Sequence, residues 1–218
     1  MPLLDIQNVS FIDGSKTILD HVSVSAESHD FISITGPSGS GKSTLLKICS
    51  HMISPTEGDV FFKDRNFTDY NPVELRRKIS HCFQTPCLWG RTVRENIYFP
   101  YWLRGIKPDQ ERIRNLFSLF RLPLAYMDQS AEKLSGGEKQ RIALIRSIVI
   151  EPEILLLDEV TSALDAENTQ ITEQVIQHLH EEGLTVLWVT HSTVQSRKYA
   201  NKILTVVSGQ IHSLEVIK

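Results

Sequence analysis

The sequence predicts an α/β fold: a mostly parallel sheet flanked by helices, with an antiparallel β-rich N-terminal part and an α-helical insertion in the middle. Three observations carry that expectation. Ile154 to Leu157 and Thr185 to Val189 are short apolar runs, as in strands covered on both faces of a parallel sheet. A glycine-rich turn, GPSGSGKST, separates the β-rich run Phe31 to Ile34 from the helix-forming TLLKICSHMI. Between residues 88 and about 134 the apolar spacing becomes helical.

Taken in chain order, Leu4 and Ile6, then Val22 and Val24, alternate with polar neighbours, as half-buried strands do. Thr92 to Glu95 has the capping-box pattern that opens a helix. Pro108 and Asp109 open another, with Ile113, Leu116, Phe117 and Phe120 along one face. The rings of the insertion (Trp89, Tyr98, Phe99, Tyr101, Trp102) are for the most part expected as helical core. Ser135 and Glu138 form a second capping box, followed by a face of Ile142, Leu144, Ile145 and Ile148. Asp165 caps a helix with Ile171, Val175, Ile176 and Leu179 on its apolar face, and Ser208-Gly209 turns a C-terminal hairpin.

Composition bounds the function. The chain has 218 residues, 41% hydrophobic and 22% charged, which excludes long disorder, a collagen and a disulfide miniprotein. With 23 basic against 26 acidic side chains there is no basic footprint for nucleic acid, so no nucleic-acid partner is expected. Cys49, Cys82 and Cys87, even with His51 and His81, lack metal-site spacing and read as ordinary reduced thiols. No signal peptide opens the chain, and no apolar stretch nears the ~18–20 residues that cross a bilayer. The chain is therefore expected to be soluble, with any membrane role running through a partner.

Three segments carry chemistry. Gly36-Pro37-Ser38-Gly39-Ser40-Gly41-Lys42-Ser43 fits G-x-x-x-x-G-K-[ST] in the strand-to-helix context that pattern needs. Its glycines turn backbone N–H groups on phosphate oxygens, and the helix N-terminus adds a favourable dipole. Lys42 is expected on the β- and γ-phosphates, Ser43 on Mg²⁺ and Thr44 on the α-phosphate. The strand Ile154 to Leu157 ends in Asp158, expected in the Mg²⁺ shell, and Glu159, expected to polarise an attacking water. LSGGEKQR, from Leu134 to Arg141, begins a helix whose N–H groups and two glycines are open to an anion.

In this order and spacing the landmarks resemble the nucleotide-binding subunits of ATP-binding cassette (ABC) transporters, over about residues 3 to 213. The resemblance implies a P-loop NTPase core of RecA type (1–87 and 135–218, including the antiparallel β part), a helical part (about 88–134) and one domain in all. It implies that Gly36 to Thr44 bind ATP, that Ser135, Gly136, Gly137 and Gln140 belong to a signature contacting the nucleotide of a second copy, and that Ser162 to Asp165 form the D-loop. It also implies that Gln84 shares in Mg²⁺ binding and catalysis, and that His191 contacts the γ-phosphate. The runs HMISPTEG, CFQTPCLWG, ENIYFP, LSGGEKQRIALIR, LLLDEVTSALD and VLWVTH resemble more narrowly the FetA-type ATPases of bacterial iron or metal exporters. Implied with these are a head-to-tail homodimer closed on ATP, a separate membrane permease, and a place on the cytoplasmic face of the plasma or inner membrane. The permease is expected to dock on the loop Thr85 to Gly90, with Leu88 and Trp89 as contacts and Phe99-Pro100-Tyr101 as part of a wall. One departure stands out: Asp13 lies where the family places a ring that stacks on adenine, the nearest aromatic being Phe11. The alternatives are a soluble cassette acting on DNA or ribosomes, which should bring a coiled-coil insertion or a tandem cassette, and a non-catalytic nucleotide-binding module, which should have lost Glu159, His191 or Gln84.

Overall fold

The apolar runs do become the middle of a sheet. The computed structural model describes residues 1–217, and its strands and helices follow in order: β1 (Leu4–Asp13), β2 (Lys16–Ala26), β3 (Phe31–Thr35), α1 (Lys42–Cys49), β4 (Glu57–Phe62), β5 (Arg65–Asn66), α2 (Pro72–Lys78), β6 (Ile79–Cys82), α3 (Val93–Trp102), α4 (Gln110–Leu119), α5 (Gly136–Ile148), β7 (Ile154–Asp158), α6 (Ala166–Glu181), β8 (Thr185–Val189), α7 (Thr193–Tyr199), β9 (Lys202–Val207) and β10 (Gln210–Val216). One sheet runs β10-β9-β3-β8-β7-β6 and is parallel except at β10. The other, β2-β1-β4-β5, is antiparallel.

The alternation of side chains along each central strand divides the core into two. Leu155, Leu157, Val186, Trp188 and Phe31 face α5, α6 and the helical insertion. Ile154, Leu156, Leu187, Val189, Ile32 and Ile34 face α1 and the antiparallel sheet. Both faces are covered, which is why these strands read as unbroken apolar runs.

Local signals form as the spacing predicts. Thr92 and Ser135 close true capping boxes with Glu95 and Glu138, while Asp109 and Asp165 cap α4 and α6. Ser208 and Gly209 both take positive φ in the turn between β9 and β10.

Two expectations are corrected. The helix after the glycine-rich turn stops at Cys49 rather than running through Met52 and Ile53. His51 adopts φ 51°, its N–H bonding Ile48 O and that of Met52 bonding Lys47 O, a Schellman ending. Ser50 Oγ satisfies Leu46 O and Lys47 O as well. Of the five rings of the insertion only Tyr101 is core, at 3% exposure; Tyr98 and Phe99 are half-buried, and Trp89 and Trp102 are 48% and 53% exposed. The face of α3 that carries Val93, Ile97 and Tyr101 is buried, Tyr98 packs against the edge of that core, and Trp102 is left toward solvent.

Candidate functional site

The C-terminal ends of β3, β7 and β8 lie side by side, and the loops leaving them build the site. After β3, the glycine-rich turn takes φ 137° at Gly36, 74° at Gly39 and 101° at Gly41, conformations that favour glycine. At Gly36 a Cβ would also lie 2.0 Å from Val206 O, so this position admits no side chain. Pro37, Ser38 and Gly39 are exposed. Ser40 Oγ is buried without a hydrogen-bond partner.

Lys42 Nζ donates to Gly36 O (2.9 Å) and Pro37 O (2.8 Å), both uncharged. Burial pushes its pKa down, although Glu159 and Asp158 pull it back up. A buried ammonium whose hydrogen bonds go only to carbonyls, beside an orphan hydroxyl at a helix N-terminus, fits an anion with several oxygens. Thr44 follows, half-buried, on the first turn of α1.

Ser43 Oγ donates to Asp158 Oδ1 at 3.0 Å. Asp158 is 7% exposed, and desolvation raises its pKa, the Ser43 bond only partly offsetting that. A buried carboxylate with raised proton affinity next to a hydroxyl oxygen is a hard-donor set suited to Mg²⁺.

Glu159 sits one residue on, at φ 48°. It joins two other sequence-predicted residues: Gln84 Nε2 donates to Glu159 Oε2 (3.0 Å), and His191 Nε2 lies 2.8 Å from Glu159 Oε1. Gln84 also reaches Ser162 Oγ of the D-loop at 3.4 Å. His191 therefore holds the carboxylate expected to polarise water. Gln84 points at Glu159 rather than at the Ser43–Asp158 pair.

The signature divides in two. Ser135 and Gly136 are exposed at the N-terminus of α5, where Glu138 accepts from Ser135 N (2.7 Å) and from the Tyr126 hydroxyl (2.9 Å). The Ser135 N–H, chief among these bonds, holds Glu138 below the usual carboxylate range. A Cβ at Gly136 would meet nothing within 4 Å, whereas one at Gly137 would approach Asn168 Nδ2 at 3.1 Å. Gln140 departs from its expected place: it is 2% exposed, and its Nε2 points inward to Phe83 O (3.5 Å) and Cys82 Sγ (3.8 Å). It braces the segment that carries Gln84 and offers nothing to an anion.

Sequence reasoning missed the brace behind His191. Thr190 Oγ1 bonds Gln195, whose Nε2 donates to Thr161 Oγ1 (3.3 Å) and Glu173 Oε1 (2.9 Å), and Ser192 N donates to Thr190 Oγ1 (3.1 Å). No motif marks these residues. A buried glutamine at the start of a helix shows its use only once its neighbours are known.

A separate cleft of about 490 Å³ lies beside the loop after Gln84, lined in part by Thr85, Pro86, Cys87, Trp89, Phe99 and Pro100. Trp89 stands against Phe99 (4.5 Å between centroids) and Arg146 (4.7 Å). Tyr101, expected as part of this wall, is buried in the core, and Leu88, half-buried, packs against that core; neither is among the residues that line the cleft.

Comparison with known proteins shows the family and the fold. A family model described as ABC transporter matches residues 19–162. The probable iron export ATP-binding protein FetA of Escherichia coli (strain K12) is 42% identical over 94% of this chain and 91% of its own. The carnitine transport ATP-binding protein OpuCA of Listeria monocytogenes is 34% identical over 91% of this chain and 51% of its own. Among solved structures, the ATP-binding cassette MJ0796, in a dimeric post-hydrolysis state bound to ADP and Pi, superposes with a TM-score of 0.89 at 30% identity over 99% of both chains.

Proposed function

Because the chain belongs to the ABC transporter family, as an ATP-hydrolysing cassette, we propose that it drives metal export, iron first, through a separate membrane permease at the cytoplasmic face. The observation that carries the catalytic part is the contact Gln84–Glu159–His191, set one residue beyond the Ser43–Asp158 pair. In this reading Lys42, Ser38, Ser40, Thr44 and the N–H groups from Gly36 to Gly41 hold the triphosphate. Ser43 and Asp158 would hold Mg²⁺, whose charge offsets that of the β- and γ-phosphates.

Glu159 accepts a proton from the attacking water, and His191 fixes the carboxylate through the oxygen that Gln84 does not occupy. Gln84, bonded at once to Glu159 and Ser162, reports the state of the γ-phosphate to the loop that follows it. Ser135, Gly136 and Gly137 complete the site of a second copy, so a two-fold pair closes on two nucleotides, and hydrolysis lets it part. The cleft beside Trp89 receives the permease. Iron as cargo is supported by the likeness to FetA, which covers both chains nearly in full.

Phosphate release tests the first part: Glu159→Gln should retain ATP binding while turnover falls roughly 10²-fold or more. Near-normal turnover removes Glu159 from the role. Cells lacking the gene test the second. Their iron content should rise and be restored by the wild-type chain but not by Glu159→Gln; unchanged iron overturns the cargo and leaves the ATPase.

A further inference from the structure

The His191 imidazole hangs on a single bond. Its side chain is 49% exposed, and among the described residues the contact of Nε2 with Glu159 Oε1 (2.8 Å) is its only hydrogen bond. A ring so lightly held keeps its place only if the backbone that carries it is fixed. One buried side chain does this from below. Thr190 and Gln195, 6% and 7% exposed, bond through Thr190 Oγ1 and Gln195 Oε1, and the Thr190 hydroxyl also accepts from Ser192 N (3.1 Å). Ser192 Oγ in turn caps α7 by accepting from Gln195 N (3.2 Å). The residues before and after His191 are therefore both tied to Gln195.

The same amide ties down the loop of Glu159. Gln195 Nε2 donates to Thr161 Oγ1 (3.3 Å), two residues beyond Glu159, and to Glu173 Oε1 (2.9 Å) on α6. Glu173, with 13% of its side chain exposed, also accepts from the Tyr199 hydroxyl (2.8 Å), and Lys198 Nζ stands 3.9 Å away. A carboxylate only accepts, so the amide must turn Nε2 to Glu173. Its Oε1 is then left for Thr190, whose hydroxyl must donate. Stability alone does not call for this arrangement, because apolar side chains of similar size would pack there without desolvating a carboxylate. Helix α7 is anchored elsewhere, by Ser33 Oγ on Ser196 Oγ (2.8 Å) and by Tyr199 in the core. What the polar network adds is direction.

We infer that Gln195 is a positioning residue for hydrolysis: oriented by Glu173, it holds both neighbours of His191 and the loop after Glu159 in one buried network, and so sets the distance at which His191 meets Glu159. This rests on the reading of Glu159 and His191 as catalytic. Gln195 itself has no hydrogen bond to either side chain among the described residues. It acts through their backbones, and a displacement of about 1 Å between reacting groups is enough to lower turnover on the order of 10²-fold.

Exchanging amide and carboxylate isolates this role. In Q195E two carboxylates face each other across the 2.9 Å contact, and their repulsion pushes the network apart. In E173Q/Q195E every partner is kept. The amide on α6 donates across the pair and accepts from Tyr199, while the carboxylate on α7 accepts from Thr190 and from a rotated Thr161 hydroxyl. Full-chain Q195E, shown folded by circular-dichroism melts, should hold a fluorescent ATP analogue within about twofold of the wild-type Kd while kcat falls roughly tenfold or more. E173Q/Q195E should recover kcat to within about threefold. The ring signals of His191 in histidine-labelled NMR spectra, identified by their absence in H191A, give a readout that needs no catalysis: they should shift in Q195E and return in E173Q/Q195E. If Q195E does not fold, Q195M, similar in shape and uncharged, takes its place in the kcat and NMR comparison. Unshifted His191 signals in either folded variant, or a kcat defect of Q195E that E173Q does not repair, overturn the inference and leave the catalytic reading intact. Shifted signals with normal kcat overturn that reading instead.

Discussion

Asp158 and Glu159 are neighbours with different work because their surroundings differ. Asp158 ends β7 inside the sheet, where burial raises its proton affinity and suits it to the proposed cation. Glu159 has left the strand and is shared between Gln84 and His191. At the tip of the first hairpin the exposed residues are Ile12, Asp13, Gly14 and Ser15, while Phe11 is half-buried against the core. No ring among these exposed residues is there to stack on a base, so phosphate contacts are expected to dominate binding. GTP should therefore compete within about tenfold of ATP, a gap of ~1.4 kcal/mol; a much stronger preference for ATP means that a ring is supplied from elsewhere.

His81, on β6, is a second residue with a measurable consequence. Burial, with the charge of Lys47, pushes its pKa down to about 4. The fold prefers the neutral ring, so its contribution is complete above pH 6.5 and is lost as pH falls through about 4. Urea unfolding at pH 7 and pH 4 should show His81→Gln losing roughly 2–3 kcal/mol less than the wild type between the two. Equal losses would move the acid sensitivity to the carboxylates alone.

At the scale of elements, α5 separates folding from function at one position. Gly136 is the first residue of the helix and a Cβ there meets nothing within 4 Å. Gly136→Ala should leave the melting temperature of the isolated chain unchanged or raise stability by about 0.4–1 kcal/mol, since it restricts only the unfolded chain. The added methyl would nonetheless stand between the helix N-terminus and the anion of a second copy. ATP-driven dimerisation and turnover should fall at least tenfold. If they persist in a folded variant, the helix end faces something other than nucleotide. The contrasting element is the turn before α1: a side chain at Gly36 would collide with the backbone of Val206, so Gly36→Ala damages the fold and the site together.

For the whole molecule the proposed cycle is one of association. One chain holds a phosphate cradle, and the exposed end of α5 has no hydrogen bond to it among the described residues. With hydrolysis blocked, nothing removes the bridging charge. Glu159→Gln should accordingly sediment as a dimer with ATP and as a monomer with ADP, the dimer fraction rising with protein concentration. A monomer under both nucleotides would leave the MJ0796-like pairing unsupported for this chain.

What the sequence determined by itself was everything whose cause lies within a few residues. Glycines that need positive φ, the pairs Thr92–Glu95 and Ser135–Glu138, the caps Asp109 and Asp165, and the apolar strands are set by local sterics, hydrogen bonds three residues apart and burial. The order of motifs then sufficed for the family. What only the tertiary structure decided was convergence. Gln84 meets Glu159 across 75 positions of chain because β6 and β7 are adjacent, and His191 meets it across 32 because β7 and β8 are. The same holds for the inward turn of Gln140, the exposure of Trp89 and Trp102, the brace around Gln195 and the arginines at the cleft. Side chains distant in sequence carry no shared period or spacing; strand order and helix docking alone bring them within bonding distance.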